Sequence, residues 1–218
     1  MPLLLSTHPF PDTTFALWQA AEPDSFFKEE LPFYGTEKQD FEVLSEKRKM
    51  EWLSSRWLLH RITGEPQRLP LAKDAFSKPF FLDKPDLHCS LSHSQGVVGA
   101  LLSNQNCGCD IQVLVEKMPK LAHKFLGKEE LKHLSGLSET MIFEYYHLIW
   151  TAKESLYKSY GLKALDFRYE IFVRDMLWDG HSGKAHGYIE KGRFQQHYQL
   201  RFGKTVLEEG ALIWAVCL

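Results

Sequence analysis

The sequence predicts an α+β protein built as two similar halves, and three observations carry that expectation. First, its two strongest helical patterns end alike: Arg56-x-x-Leu59-x-Arg61-x-x-Gly64 aligns without a gap on Lys153-x-x-Leu156-x-Lys158-x-x-Gly161. Second, each of these helices follows a strand and a shorter helical segment, and each is followed by strands. Third, the halves close alike, on Gly99-Ala100-Leu101-Leu102 and on Gly210-Ala211-Leu212-Ile213. The expected halves are residues 1–106 and 107–218, joined near Ser103 to Asn106. Together they make a pseudo-dimer with its active site in the cleft between them, where ligands most often sit.

In chain order, residues up to Asp12 read as a leader into a first strand, Thr13 to Gln19. Phe15, Leu17 and Trp18 in that strand suggest burial on both faces. Pro23-Asp24-Ser25 offers a helix start with Phe26, Phe27 and Leu31 as its apolar side, and a turn at Pro32 to Gly35 follows. A stronger helix spans Ser45 to Thr63, because Met50, Leu53, Trp57, Leu58 and Ile62 hold helical period until Gly64 and Pro66 stop it. Asp74 to Asp86 reads as a loop and short strand around Lys78-Pro79-Phe80-Phe81. Two strands, Leu87 to Ser92 and Val97 to Leu102, meet through His93-Ser94-Gln95-Gly96. In the second half a strand carries Cys109, Asp110 and Ile111, and Pro119 opens a helix to about His133. The longest helix runs from about Glu139 to Tyr160. Strands at Ile171 to Arg174, Ala185 to Glu190, Gln196 to Phe202 and Ala211 to Val216 complete the chain, with turns at Asp179-Gly180 and Lys191-Gly192.

Composition narrows the function. The 218 residues are enough for a substantial core, and a net charge of −2 gives no reason to expect a nucleic-acid or membrane binder. No apolar run approaches a membrane span, and Leu3-Leu4-Leu5 is too short for a signal-peptide core. Cys89, Cys107, Cys109 and Cys217 include no Cys-x-x-Cys pair, which fits a reduced, cytoplasmic protein and not a disulfide framework; the pseudo-dimer plan goes with an expected monomer. Ser92 and His93 are strand neighbours pointing to opposite faces, so they do not form a nucleophile–base pair.

Two stretches carry chemistry. On the longest helix Glu154 and Lys158 stand one turn apart on the same face. At that spacing they make either an ordinary surface pair or a metal-binding carboxylate beside a phosphate-binding cation; the helix alone leaves both readings open. On the earlier strand Asp110 and Gln112 share one face, just after Gly108, well placed to meet a glutamate from a packed helix.

These stretches, Gly108-Cys109-Asp110-Ile111-Gln112 and Trp150-Thr151-Ala152-Lys153-Glu154-Ser155-Leu156-Tyr157-Lys158, resemble signatures of the 4'-phosphopantetheinyl transferases of the surfactin-synthetase-activating type. That family carries Gly-x-Asp-x-Glu and Trp-x-x-Lys-Glu-x-x-x-Lys. The second match is complete; the first departs at Gln112, where the family has glutamate. Lys78-Pro79-Phe80 is similar to the family's Gly-Lys-Pro loop with Ser77 in the glycine place. Leu91-Ser92-His93-Ser94 is similar to its Asn-x-Ser-His-Ser segment, with Ser90 at the asparagine.

The resemblance implies transfer of 4'-phosphopantetheine from coenzyme A to a serine of an acyl, peptidyl or polyketide carrier protein, with magnesium, releasing adenosine 3',5'-bisphosphate. It implies a transferase of the holo-acyl-carrier-protein synthase kind, with coenzyme A bound between the halves. Magnesium suits this chemistry because it takes a couple of carboxylates and leaves positions for phosphate oxygens and water. By similarity Asp110 and Glu154 are its ligands, with Gln112 at the third position, where it offers at most an uncharged oxygen. Lys158 holds the pantetheine-side phosphate and Lys153 helps. Lys78, Ser92 and His93 bind the adenylate end, His93 on the 3'-phosphate, and Arg48 and Arg56 are further phosphate partners by a looser alignment. Glu130, closing Phe125-Leu126-Gly127-Lys128-Glu129-Glu130, matches a family glutamate proposed as the base; it also reads as a surface acid, with Glu154 or a metal-bound water serving instead. Lys120, Lys124 and Lys128, at four-residue spacing, suggest a docking face for an acidic carrier, or an ordinary solvated face. The alternative function is a catalytically impaired module that still binds coenzyme A and carrier protein, for which Gln112 is the support.

Overall fold

Among residues 3–218, which the computed structural model describes, the first element is a strand and not the expected leader. Leu3–Thr7 (β1) pairs antiparallel with Thr13–Gln19 (β2), with Thr7 opposite Phe15. The turn between them is held locally: the His8 ring contacts the Thr13 carbonyl, and Asp12 takes a φ of 51°. Phe15, Ala16 and Leu17 are buried. Helix α1 (Asp24–Glu30) buries Phe27, and Leu31 just beyond it is buried too. A second short helix, α2 (Glu37–Glu42), was not expected from the sequence; its six residues carry only Phe41 as a buried apolar anchor, too little for a periodicity to show.

Helix α3 (Glu46–Thr63) starts after Ser45 and ends on Gly64, whose φ of 67° is the left-handed conformation glycine enters most freely. Leu53, Trp57 and Leu58 pack beside Phe27, Leu31 and Phe41 in the core of this unit. The Asp74–Asp86 region forms a small hairpin of β3 (Leu71–Lys73) with β4 (Pro79–Phe81). Strands β5 (His88–Ser94) and β6 (Val97–Ser103) turn through Gln95 and Gly96, both at positive φ, the twist-matched form of a two-residue hairpin. The sheet order is β1-β2-β6-β5.

The chain divides into two compact units, one ending at Cys107 and one beginning at Gly108. In the second, β7 (Gly108–Val113) leads to α4 (Met118–Leu121), a 3-10 turn over Ala122–Lys124, and α5 (Lys128–Lys132). The single helix expected from Pro119 to His133 is therefore broken. Phe125, Leu126 and Gly127 are buried between its pieces, and Gly127 is extended. Lys120, Lys124 and Lys128 lie on separate elements, so they do not form one helical stripe. Helix α6 (Glu139–Tyr160) is capped by the Ser138 hydroxyl, which accepts from the Met141 N–H, and ends on Gly161 at φ 71°. Strands β8 (Ile171–Trp178), β9 (Ser182–Lys191), β10 (Phe194–Val206) and β11 (Ala211–Cys217) follow, each longer than its apolar pattern alone suggests. The sheet order is β7-β11-β10-β9-β8. Leu148, Ile149, Ala152 and Leu156 of α6 pack with Ile189, Leu200, Ile213 and Ala215 of that sheet.

The units repeat one plan. In each, the strand before the helices lies beside the last strand, which lies beside the one preceding it: β2-β6-β5 and β7-β11-β10. Among the described residues no helix is long and apolar enough to cross a membrane.

A candidate active site on strand β7 and helix α6

Gly108 sets this site's geometry. A Cβ built there would lie 1.9 Å from the Ser155 carbonyl oxygen and 2.8 Å from the Ser159 amide nitrogen. Strand and helix backbones thus approach as only glycine permits. Asp110, two residues along the same face, is carried to helix α6 by that approach. The Lys158 ammonium donates to Asp110 Oδ1 at 2.8 Å, and Glu154 sits one turn earlier on the helix, half-buried.

The electrostatics follow from this packing. Burial first, and then the nearby Asp110 carboxylate, push the Glu154 carboxyl up to about 7, with Lys158 opposing. Burial works against the Lys158 ammonium, but Asp110, assisted by Cys109 and Glu154, raises it above its ordinary value nonetheless. The two carboxylates are oxygen donors of the kind magnesium takes, and a divalent cation between them would offset the burial and the mutual repulsion that raise Glu154. Among the described residues no third histidine, cysteine or acidic side chain joins them as a cluster. Gln112, also half-buried, donates from its side-chain amide to the Val113 carbonyl oxygen at 2.8 Å.

Lys153 and Glu130 lie elsewhere. Lys153 is 0% exposed and Glu130 1%. The Lys153 ammonium donates to the Phe125 and Phe167 carbonyl oxygens, each at 2.7 Å, and pairs with Glu130 at 2.7 Å. Trp150, one turn back, contacts the rings of the same two phenylalanines, with centroids 5.3 and 5.7 Å away. The Trp-x-x-Lys spacing thus grips Phe125 and Phe167 twice, by ring and by backbone. Lys153 was expected beside a phosphate; the structure turns it into the core of its unit.

In the first unit Arg48 and His93 come together at the surface. Arg48 Nη1 lies 3.0 Å from His93 Nε2 and 2.9 Å from Glu51 Oε2, and His93 Nδ1 lies 3.5 Å from Glu51 Oε1. Glu51 was not singled out from the sequence, though its i,i+3 relation to Arg48 on a helix was legible. Ser92, its strand neighbour, is buried where His93 is exposed. The Lys78 ammonium donates to Asn106 Oδ1. Ser77 before it takes a φ of 74°, a left-handed conformation at the place where the matching motif has glycine. Arg56 faces inward: it is 9% exposed, its Nε 3.6 Å from Glu37 Oε1, while Arg68 reaches both oxygens of Glu37 at 2.5 and 2.7 Å. Glu37 and Arg68 carried no sequence signal, because neither belongs to a periodic face or a motif.

This strand–helix arrangement, with its acid, acid and lysine, defines a class. A model of the 4'-phosphopantetheinyl transferase superfamily matches residues 106–217, just over half the chain, and the chain belongs to that superfamily. It is similar to several curated 4'-phosphopantetheinyl transferases. It is 30% identical over 105 residues to the 4'-phosphopantetheinyl transferase Sfp of Bacillus subtilis (strain 168), covering 48% of this chain and 46% of that protein. It is 28% identical over 111 residues to the 4'-phosphopantetheinyl transferase gsp of Aneurinibacillus migulanus, covering 51% and 46%. To the 4'-phosphopantetheinyl transferase ffp of Bacillus subtilis it is 30% identical over 129 residues, covering 56% and 57%. The chain thus spans about half the length of the curated relatives it matches.

Proposed function

We propose that this chain transfers 4'-phosphopantetheine from coenzyme A to a serine hydroxyl of an acyl, peptidyl or polyketide carrier protein. The observation that carries the reading is the convergence of Asp110, Glu154 and Lys158 across β7 and α6. The serine oxygen forms a bond to the pantetheine-side phosphorus. That phosphorus releases the oxygen bridging to the second phosphate, and adenosine 3',5'-bisphosphate leaves. Such chemistry rests on positioning and charge neutralisation more than on covalent catalysis. Asp110 and Glu154 would hold magnesium, which when bound neutralises pyrophosphate charge. Lys158, now engaged by Asp110, would supply the cation for the pantetheine-side phosphate. Arg48 and His93 would take the 3'-phosphate, with Ser92 and Lys78 at the adenylate end. The hydroxyl proton passes to a base, for which Glu154 and Glu130 are the acidic candidates.

The test is incubation with coenzyme A, magnesium and a panel of apo carrier proteins, followed by intact-mass measurement of the carrier. Gain of one phosphopantetheine on any carrier supports the reading. Coenzyme A binding with every carrier left unmodified would assign the chain instead as a binding module of the same fold.

A further inference from the structure

The Glu130 carboxylate is fully engaged. Oε2 accepts from the Gly127 N–H at 2.6 Å and from Lys153 at 2.9 Å, and Oε1 accepts from the Val173 N–H at 3.1 Å and lies 2.7 Å from the Lys153 ammonium. The Glu130 carbonyl oxygen in turn accepts from the Tyr145 hydroxyl at 3.2 Å. This one residue ties together the start of α5, strand β8 and, through Lys153, helix α6 and the Phe125 and Phe167 backbones. A base has to reach the proton it takes within hydrogen-bonding distance. A carboxylate 1% exposed and surrounded by four donor contacts is turned away from any incoming hydroxyl. Protonating it would also leave a buried ammonium without its counter-charge.

The first unit holds the same device. Glu37, at the start of the short helix α2, accepts from the Tyr34 N–H three residues earlier at 3.0 Å, as Glu130 accepts from Gly127 three residues before it. Its close cation is Arg68, beyond the long helix, which reaches both carboxylate oxygens at 2.5 and 2.7 Å; Arg56, the long-helix residue that aligns on Lys153 in the sequence repeat, stands 3.6 Å away. Glu37 is 7% exposed. A buried glutamate of the short helix, accepting from its own i−3 amide and set beside a cation of the long helix, therefore recurs in a unit without the Asp110–Glu154 pair. The device belongs to the architecture and not to the chemistry.

We infer that Glu130 is a positioning residue and not the base: with Lys153 it forms a clasp, repeated in the first unit by Glu37 with Arg56 and Arg68, that seats helix α6 so that Glu154 and Lys158 face Asp110. The role rests on the transfer reaction proposed above; the clasp itself does not.

Glu130→Gln and the double variant Glu130→Gln/Lys153→Gln decide the matter in the full chain. The single variant leaves the Lys153 ammonium buried without a counter-charge; the double variant removes both charges and keeps amide groups that donate and accept. The clasp predicts that Glu130→Gln lowers the melting temperature and speeds amide exchange at Gly127 and Val173. It predicts that the double variant regains part of the melting temperature and at least about tenfold of the lost kcat/KM, with the pH–rate profile of the wild type throughout. A base cannot be restored by changing its neighbour. A double variant that melts like the wild type, transfers no better than Glu130→Gln and has lost the ascending limb of the profile would overturn the assignment. Melting and exchange read out without turnover. A wild type inactive on every carrier would therefore sink the transfer reading while these measurements still judge the clasp; unchanged Gly127 and Val173 exchange in Glu130→Gln would refute the clasp itself.

Discussion

Glu154 is the residue whose titration the fold changes most usefully. Its ordinary value is 4.5, and the folded site raises it to about 7. Between those values the folded chain holds a proton that the unfolded chain has released. The stabilising contribution is complete below pH 4.5 and is lost as pH rises through 7. The metal-free protein should thus melt at progressively lower temperature across that window, and Glu154→Gln should flatten the slope. A slope that persists in Glu154→Gln would have to come from other groups. Gln112 makes the complementary prediction. It adds no charge beside Asp110, and its amide is engaged with the Val113 carbonyl. Gln112→Ala should keep substantial transfer where Asp110→Ala abolishes it, and Gln112→Glu should tighten magnesium in the absence of coenzyme A. Titration calorimetry on wild type and Gln112→Glu checks this; no gain in the variant would put position 112 beyond the metal's reach.

Strand β7 and helix α6 meet through Gly108, and that contact sets how near Asp110 comes to Glu154. A methyl at 1.9 Å from the Ser155 carbonyl meets backbone, which cannot rotate away as a side chain would. Gly108→Ala should push the helix off the strand and destabilise the protein by about 1–3 kcal/mol, as overpacking of a closed core does. Activity should fall by more than the unfolded fraction explains, because the pair across the contact separates. Urea unfolding measured together with kcat/KM tests both parts; a variant of native stability and rate would mean that the helix can shift at no cost. The same element shows why the Trp-x-x-Lys spacing matters. Trp150 and Lys153 stand one turn apart and hold the rings and the carbonyls of Phe125 and Phe167, two residues far apart in sequence.

On the scale of the molecule, the two units share a strand order and a buried glutamate that accepts from its own i−3 amide, but carry different clusters of charged side chains. The first presents Arg48 and His93; the second presents Asp110, Glu154 and Lys158. Variants should therefore separate by unit. His93→Ala and Arg48→Ala should weaken coenzyme A much more than dephospho-coenzyme A, which lacks the 3'-phosphate, while Asp110→Ala should not discriminate between them. Equal losses on both ligands would remove His93 and Arg48 from that phosphate.

The sequence by itself determined the α+β plan, because helical period between Met50 and Ile62 and the glycine stops at Gly64 and Gly161 are local signals. It placed Asp110 on a strand and Glu154 with Lys158 on one helix face by spacing, while the chemistry expected of them came from the family resemblance and not from spacing. Local pattern could not show the break of the helix after Pro119, where Phe125 turns inward at the cost of helical continuity. Nor could it show which way a charged side chain points. Lys153 and Lys158 lie five residues apart on one helix and both belong to the motif. Only tertiary packing decided that one is sealed against Glu130 while the other is left beside Asp110. Arg56, Glu37 and Arg68 make the same point. A charge is buried only where partners distant in sequence satisfy it, and those partners exist only once the chain has folded.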